Sequence, residues 1–455
     1  MSHHGVSFNS QIAASDLSFR KDFGIFFTPA WVVDFMISLI CDEKFRRQPL
    51  SILEPACGTM QFLQGLKRNK APLYNKAQKT GVEINKSVYA PLREDEIKIV
   101  FADFLLWEPG QKFDIILGNP PYGIPSLSKH YAIKVDDTTK ATYKQLFSTW
   151  YGKYNIYGAF IEKSIELLKE QGELIFITPA SFLFLDEFKK LREFLARYGK
   201  TRIIYLGEKV FKPEADIATV ILQFVKCKKH SGQLLLSEYT NQRIIPHRHE
   251  TNWQGEVITF RSDFTDALKE HCNFLLGDLF DIRIAPRTPE IKKNLHVVRN
   301  EKKIDKNYLP ILSSRNLQVG TIFYEPLASY WIHKSKVSTL RAYFNKPHIV
   351  VGLGFRGARQ LAAAFDLRAY PWMGDVYHLI AKECFTDIEL SPQDIVQYLN
   401  SATVRRYIMD TFREVTYHLS ITQLKQIPLP KTFKALQQLL HLSHSHTYHS
   451  QLTVS

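Results

Sequence analysis

Cysteine is scarce in this chain of 455 residues: Cys41, Cys57, Cys227, Cys272 and Cys384 are odd in number, far apart and form no CxxC pair. That excludes a disulfide framework and a cysteine-built zinc centre. Long apolar runs are absent too. Nothing approaches the roughly 18 residues of a membrane-spanning helix, and the opening stretch MSHHGVSFNSQIAAS has no apolar signal-peptide core. A cytoplasmic protein in a reducing compartment, with no membrane partner, is the expectation. Residues 54–63 hold no G-x-G-x-x-G phosphate loop, and no Walker lysine follows, which counts against a pyrophosphate ligand. Acid is in deficit: 45 Asp and Glu face 59 Lys and Arg, a formal net charge of +14. Such a balance favours a polyanionic partner, nucleic acid before an anionic membrane surface.

Hydrophobic residues make up 45% of the chain and charged residues 23%, which is the composition of a folded protein of two or more domains. From Phe26 to about Val225, short apolar runs alternate with amphipathic stretches. The runs 51–56, 80–85, 97–104, 113–120, 172–180, 201–207 and 218–226 read as strands. A helix is predicted from Pro29 to Ile40 with Thr28 as its N-cap, another over 157–172 stopped by Gly172, and a third over 186–199. Alternation of this kind predicts an α/β, doubly wound, Rossmann-like sheet, whose ligands sit at the carboxyl ends of the strands. After residue 226 the regularity fades. The chain is divided into a catalytic domain over 1–255 and a second, mixed α+β domain over 256–455. The histidine-rich tail at 441–450 reads as a solvated end, and no metal is expected.

The strand ends carry the chemistry. Strand one runs into Glu54 and the turn that continues through Ala56, Cys57 and Gly58; strand two ends in Glu83, strand three in Asp103, strand four in Asn119-Pro120-Pro121-Tyr122. A carboxylate at the end of strand two suits a ribose diol. Asp103 can accept from an adenine amine, and Glu54 can face an amino-acid ammonium. Together these describe an adenosine-plus-amino-acid ligand, S-adenosylmethionine.

The Asn-Pro-Pro-Tyr cluster has its own logic. Proline fixes the backbone and removes donors, so a carbonyl such as that of Pro120 is left facing outward. The Asn119 side-chain oxygen is a second acceptor. Two acceptors close together can hold both hydrogens of one exocyclic amine, which frees the nitrogen lone pair for attack. Tyr122 offers a face on which a planar base can stack.

Taken together, Phe27-Thr28-Pro29, Leu53 to Cys57, Gly81-Val82-Glu83, Ala102 to Trp107 and Asn119 to Ile124 resemble the N6-adenine-specific DNA methyltransferases that have an NPPY motif and a C-terminal target-recognition domain. Within that family the chain is similar to the TaqI adenine methylase branch. The likeness continues through 147–164, 191–201, 205–208, 287–293, 368–372 and 397–401. The resemblance implies that Thr28, Glu54, Ala56, Glu83, Asp103 and Pro121 surround S-adenosylmethionine, with Phe160 near its adenine. It implies that Asn119 and the Pro120 carbonyl hold the target amine, and that the flipped base lies between Tyr122 and Phe211. It further implies double-stranded DNA as partner, TCGA as the site, a separately acting cognate restriction endonuclease and a monomeric enzyme. Candidate DNA contacts are Arg283, Arg287, Arg315, Lys334, Arg356 and Arg359, with arginine suited to guanine and lysine to phosphate. Two positions depart from the pattern: Met60 stands where relatives carry glycine, and Tyr417 where the branch has a proline that fills the gap left by the flipped base. The rival readings are a methyltransferase acting on a protein glutamine amide or on RNA, and a DNA-binding protein without catalysis.

Overall fold

The computed structural model describes residues 26–41, 50–86, 97–126, 133–213, 215, 217–227, 232–299, 304–325, 327, 330–352, 361–413 and 418–445. The chain divides into two compact units, Met1–Thr259 and Phe260–Ser455.

The first unit is built on one sheet. Helix α1 (Ala30–Ser38) precedes β1 (Leu50–Pro55). Helices α2 (Gln61–Asn69) and α3 (Ala71–Lys76) lead to β2 (Ala77–Glu83). Then come β3 (Ile97–Phe101), β4 (Phe113–Gly118), α4 (Asp137–Leu146), α5 (Ile156–Leu167) and β5 (Leu168–Pro179). Helix α6 (Lys189–Tyr198), β6 (Gly199–Gly207), β7 (Thr219–Lys226), β8 (Leu234–Thr240) and β9 (Arg243–Glu250) complete it. The strand order is β3-β2-β1-β4-β5-β7-β6-β8-β9. Strands β1 to β5 pair in parallel, whereas β7 runs antiparallel to both neighbours. The chain leaves β1 towards β2 and β3 on one side and returns with β4 on the other. That switch point opens a crevice beyond the strand ends.

Every residue of β1 is buried, and Ile52, Leu53, Val82, Ile115 and Ile116 have no exposed surface. Strands covered on both faces read as continuous apolar runs, which is why they were visible in the sequence. The second strand runs over Ala77–Glu83 rather than 80–85, and the third ends at Phe101, so that Asp103 lies just past it; three further details also differ from the sequence reading. Helix α1 starts at Ala30, with Pro29 rather than Thr28 at the N-cap and no capping by a side chain; the Thr28 hydroxyl is directed to Asn119 instead. Helix α5 ends at Leu167, not Gly172, because β5 already begins at Leu168. The sheet also continues past residue 226 through the β8–β9 hairpin. Its turn places Asn241 and Gln242 at φ 48° and 60°, the left-handed pair that suits a tight hairpin.

The second unit has a four-stranded antiparallel sheet: β10 (Phe280–Ile284), β11 (His348–Gly352), β12 (Ala363–Asp366) and β13 (Val376–Ala381), in the order β10-β13-β11-β12. Helices α7 (Asp263–Glu270), α8 (Pro392–Leu399) and α9 (Ala402–Phe412) accompany it. Its core packs Leu312, Leu317, Val350, Trp372 and Val376 together. Inside, the fully buried Asp366 accepts from the Tyr324 hydroxyl at 2.9 Å, Trp372 Nε1 at 2.8 Å and the Ala369 amide at 3.0 Å. Among the described residues no helix is long and apolar enough to cross a membrane.

The turn after β1 is strained. Ala56, Gly58 and Met60 all take left-handed conformations, at φ 52°, 48° and 57°. Gly58 therefore does not relieve Met60 of a left-handed conformation. Left-handed backbone costs a residue with a side chain about 1–2 kcal/mol, yet Met60 is only 1% exposed, and burial of a methionine is worth roughly 2–5 kcal/mol. Packing outweighs strain. Met60→Gly should accordingly lower the melting temperature despite relaxing the turn; a rise on thermal denaturation would show that strain dominates.

Candidate active site

One cleft, with a cavity volume of about 170 Å³, lies beyond the ends of β1 to β4. Thr28, Glu54, Ala56, Cys57, Gly58, Glu83, Asp103, Pro121 and Phe160, all singled out in the sequence for the cofactor, line it, and Asn119 stands on the same wall. The register of the parallel strands explains the gathering. Glu54 is opposite Gly81, and Glu83 opposite Phe101, so successive strand ends come to one edge. Gly81 is required there: a Cβ would stand 2.8 Å from Cys57 Sγ.

Glu54 is 2% exposed and accepts from the amides of Phe62 at 3.3 Å and Leu63 at 2.9 Å. These are first-turn donors of α2, which otherwise lack partners. Burial pushes its carboxyl up to about 8, against the pull of those two amides. Glu83 ties the turn from the other side, accepting from the Gly58 amide and the Asn85 amide, each at 2.9 Å. Burial raises its carboxyl as well. Two buried carboxylates in one cleft suit a ligand that brings a cation and hydroxyl donors.

Asp103 accepts from the Leu105 amide at 2.9 Å and from the Tyr143 hydroxyl at 2.5 Å. Tyr143 on α4 is 3% exposed, and burial together with this carboxylate raises its phenol far above the usual range. Nothing in the sequence pointed to Tyr143, since the two residues are 40 positions apart. Phe160 on α5 packs on Phe104, ring centroids 5.0 Å apart, and so forms an apolar wall suited to a purine. Ile84, Phe104, Ile133 and Val135 extend that wall and were likewise not foreseen.

At the end of β4, Asn119 Nδ2 donates to the Phe26 carbonyl at 2.8 Å and to Thr28 Oγ1 at 3.1 Å. Its Oδ1 is buried with no hydrogen-bond partner. Turning the amide over would set oxygen against the Phe26 carbonyl, so the orientation is fixed. An unmet buried acceptor costs about 1–3 kcal/mol and marks a place kept for a donor. Pro120 follows directly and is buried. The Tyr122 hydroxyl donates to the Ile177 carbonyl at 2.9 Å, which locks its ring. That ring is not open, as expected from the sequence, but only 6% exposed: Phe26 lies on it with centroids 5.3 Å apart, and Phe211 meets it edge-on at 6.2 Å.

Arg283, Arg287, Arg315 and Lys334 are exposed residues of the second unit. Arg283 is on β10, and Arg287 precedes the short helix Thr288–Lys293. Arg356, Arg359 and Tyr417 lie outside the described residues. No group of three or more His, Cys, Asp or Glu side chains fit for a metal ion occurs among the described residues.

Two family models match separate parts of the chain. Residues 37–211 match the Eco57I restriction-modification methylase family, and residues 309–429 match the TaqI-like C-terminal specificity domain. The type II methyltransferase M.TthHB8I of Thermus thermophilus is 40% identical over 406 residues, covering 88% of this chain and 89% of that protein. The modification methylase CviBIII of Paramecium bursaria Chlorella virus NC1A is 30% identical over 252 residues, 54% of this chain and 60% of its own length. The type IIL restriction-modification enzyme MmeI, solved in complex with DNA, shares the fold with a TM-score of 0.56 at 13% identity, covering 97% of this chain and 73% of that one. The cofactor is S-adenosylmethionine, and the mostly parallel first unit with a separate C-terminal specificity domain is the fold expected from the sequence.

The raised Glu54 carboxyl has a measurable consequence. Between its ordinary value of 4.5 and about 8, the folded protein holds a proton that the unfolded chain has lost. Stability of the cofactor-free protein should therefore fall as pH rises through that window, by up to roughly 1.4 kcal/mol per pH unit. Urea unfolding from pH 5 to 8 measures the slope. Glu54→Gln should flatten it, and an equal slope in the variant would assign the effect elsewhere.

Proposed function

This chain belongs to the type II restriction-modification methyltransferases, and from that premise we propose that it is a site-specific DNA adenine-N6 methyltransferase, acting on an adenine flipped out of a short duplex site such as TCGA. The observation that carries the reading is the buried, unpartnered Asn119 Oδ1 at the mouth of the cofactor cleft.

S-adenosylmethionine supplies the methyl group as its sulfonium substituent. In this reading Glu54 receives the ammonium of the amino-acid moiety, Glu83 the ribose hydroxyls and Asp103 the adenine amine, while Phe160 covers the adenine ring. Asn119 Oδ1 and the Pro120 carbonyl accept the two hydrogens of the target amine. Holding both draws the nitrogen lone pair out of the ring and turns it towards the cleft. Tyr122 and Phe211 clasp the base by its faces and edge. Flipping is needed because the amine is otherwise paired and stacked inside the duplex. No strong base has to act first: positioning the reactants removes much of the barrier, and the nitrogen becomes acidic once methylated, so its proton leaves to solvent. The exposed Arg283, Arg287, Arg315 and Lys334, with Arg356, Arg359 and Tyr417, contact the DNA.

The direct test is to incubate plasmid DNA with the protein and S-adenosylmethionine and map modified bases by single-molecule sequencing. N6-methyladenine at one short motif is expected; cytosine methylation, or label found only in peptide or RNA, would overturn the reading. Asn119→Ala should lower turnover by roughly 100-fold or more, by analogy with losing one oriented polar group elsewhere, with cofactor affinity little changed. Near wild-type turnover would remove this residue from the mechanism.

With a net charge of +14, DNA affinity should fall steeply with salt as counterions are released. Lys334→Ala should weaken cognate and random duplexes equally and reduce the logarithmic salt slope by about one. Arg287→Ala should instead relax discrimination between them, each lost base contact being worth about 1–3 kcal/mol. Anisotropy titrations at several salt concentrations separate the two outcomes.

A further inference from the structure

Phe26 was not singled out by the sequence, yet it packs against both Tyr122 and Phe211. Its carbonyl accepts from Asn119 Nδ2 at 2.8 Å. Its ring lies nearly parallel to Tyr122, with centroids 5.3 Å apart and 28° between planes. The same ring meets Phe211 at 5.8 Å and 55°. The three aromatic residues thus close on one another, and Phe26 takes the face of Tyr122 on which a base would stack.

The dimensions decide what this means. A base held between two aromatic faces needs about 3.5 Å on either side, so its two walls stand roughly 7 Å apart. The 5.3 Å between Phe26 and Tyr122 leaves no room for it. Tyr122 cannot give way, because its hydroxyl is anchored to the Ile177 carbonyl and its ring is buried. Phe26 can: it is only half-buried, and its tie to Asn119 runs through the main chain. The ring can rotate about its own side-chain bonds while the Asn119 amide stays oriented.

We propose that Phe26 is a further residue of the substrate pocket, holding the place of the target base in the free enzyme and leaving the face of Tyr122 when the base enters. The inference rests on the base-flipping reading above. An empty apolar slot would forfeit contacts or admit water against aromatic faces; the phenyl ring prevents both. The incoming base then exchanges one stacked ring for another, so the pocket discriminates against any nucleotide that stacks on Tyr122 less well than Phe26 does. Apparent affinity for the base is reduced by the fraction of enzyme whose pocket is occupied by the ring.

The test compares two duplexes carrying the site at which the protein methylates plasmid DNA, one with the target adenine and one abasic at that position. S-adenosylhomocysteine is present, and the full chain is used. Only the adenine duplex has to displace Phe26. Phe26→Ala should therefore tighten binding of the adenine duplex about three- to tenfold and leave the abasic duplex within about twofold of wild type. Phe26→Leu, which keeps most of the volume but cannot stack, should shift the same ratio in the same direction, and it serves if the alanine variant melts early. An unchanged ratio, or weaker binding of the adenine duplex alone, would overturn the proposal. Wild-type protein with 2-aminopurine at the target position controls for the underlying reading: no change in emission on binding means that the base is not flipped, whereas a change with an unaltered affinity ratio refutes only the role of Phe26.

Discussion

A carboxamide nitrogen donates and its oxygen accepts, and the two diverge from one planar carbon. Once Asn119 Nδ2 is committed to the Phe26 carbonyl, Oδ1 has to face away from it and into a place where the protein offers no donor. Much of the first unit serves to hold that single amide. Strand β4 brings it to the sheet edge, Thr28 reinforces its nitrogen side, and the anchored Tyr122 fixes the two prolines between them. A flexible acceptor could relax towards water; one braced on both sides keeps its lone pairs aimed at one place.

The cofactor side of the cleft obeys a second constraint. Carboxylates buried close together repel and lose hydration, so each must be met by donors. Glu54 and Glu83 meet theirs in the main chain of the turn they enclose. The turn is thereby pulled into left-handed backbone at Ala56, Gly58 and Met60. Strain at this turn and the raised carboxyl of Glu54 are two aspects of one arrangement, in which burial disfavours the charged form until a ligand brings a cation to it.

The central strands β1 and β4 were legible because buried parallel strands are continuous apolar runs, whereas β2 carries Gln78 and Lys79 and β3 is only partly buried. Glu54, Glu83, Asp103 and Asn119 could be ordered along the edge from sequence alone, since parallel register carries each strand end to the same side. Local signals were less reliable. Thr28 before Pro29 has the form of a helix cap, but a tertiary partner took its hydroxyl. Gly172 has the form of a helix stop, but β5 had begun four residues earlier. The β8–β9 hairpin turns on Asn241-Gln242, a pair without the glycine that usually betrays such a turn. What could not be read at all were contacts between distant segments: Tyr143 on Asp103, and Phe26 on Tyr122 and Phe211, join residues by packing that no spacing rule encodes.

In the proposed mechanism no strong base has to act, and that shapes what the site must do well. If the target nitrogen is activated only by where its hydrogens are held, rate depends on keeping two acceptors, one base plane and one methyl group in register. Errors of an ångström then matter as much as chemical substitutions. Rigid placement is supplied by buried groups: the Tyr122 hydroxyl on Ile177, the Asn119 nitrogen on Phe26 and the Glu54 carboxylate on α2.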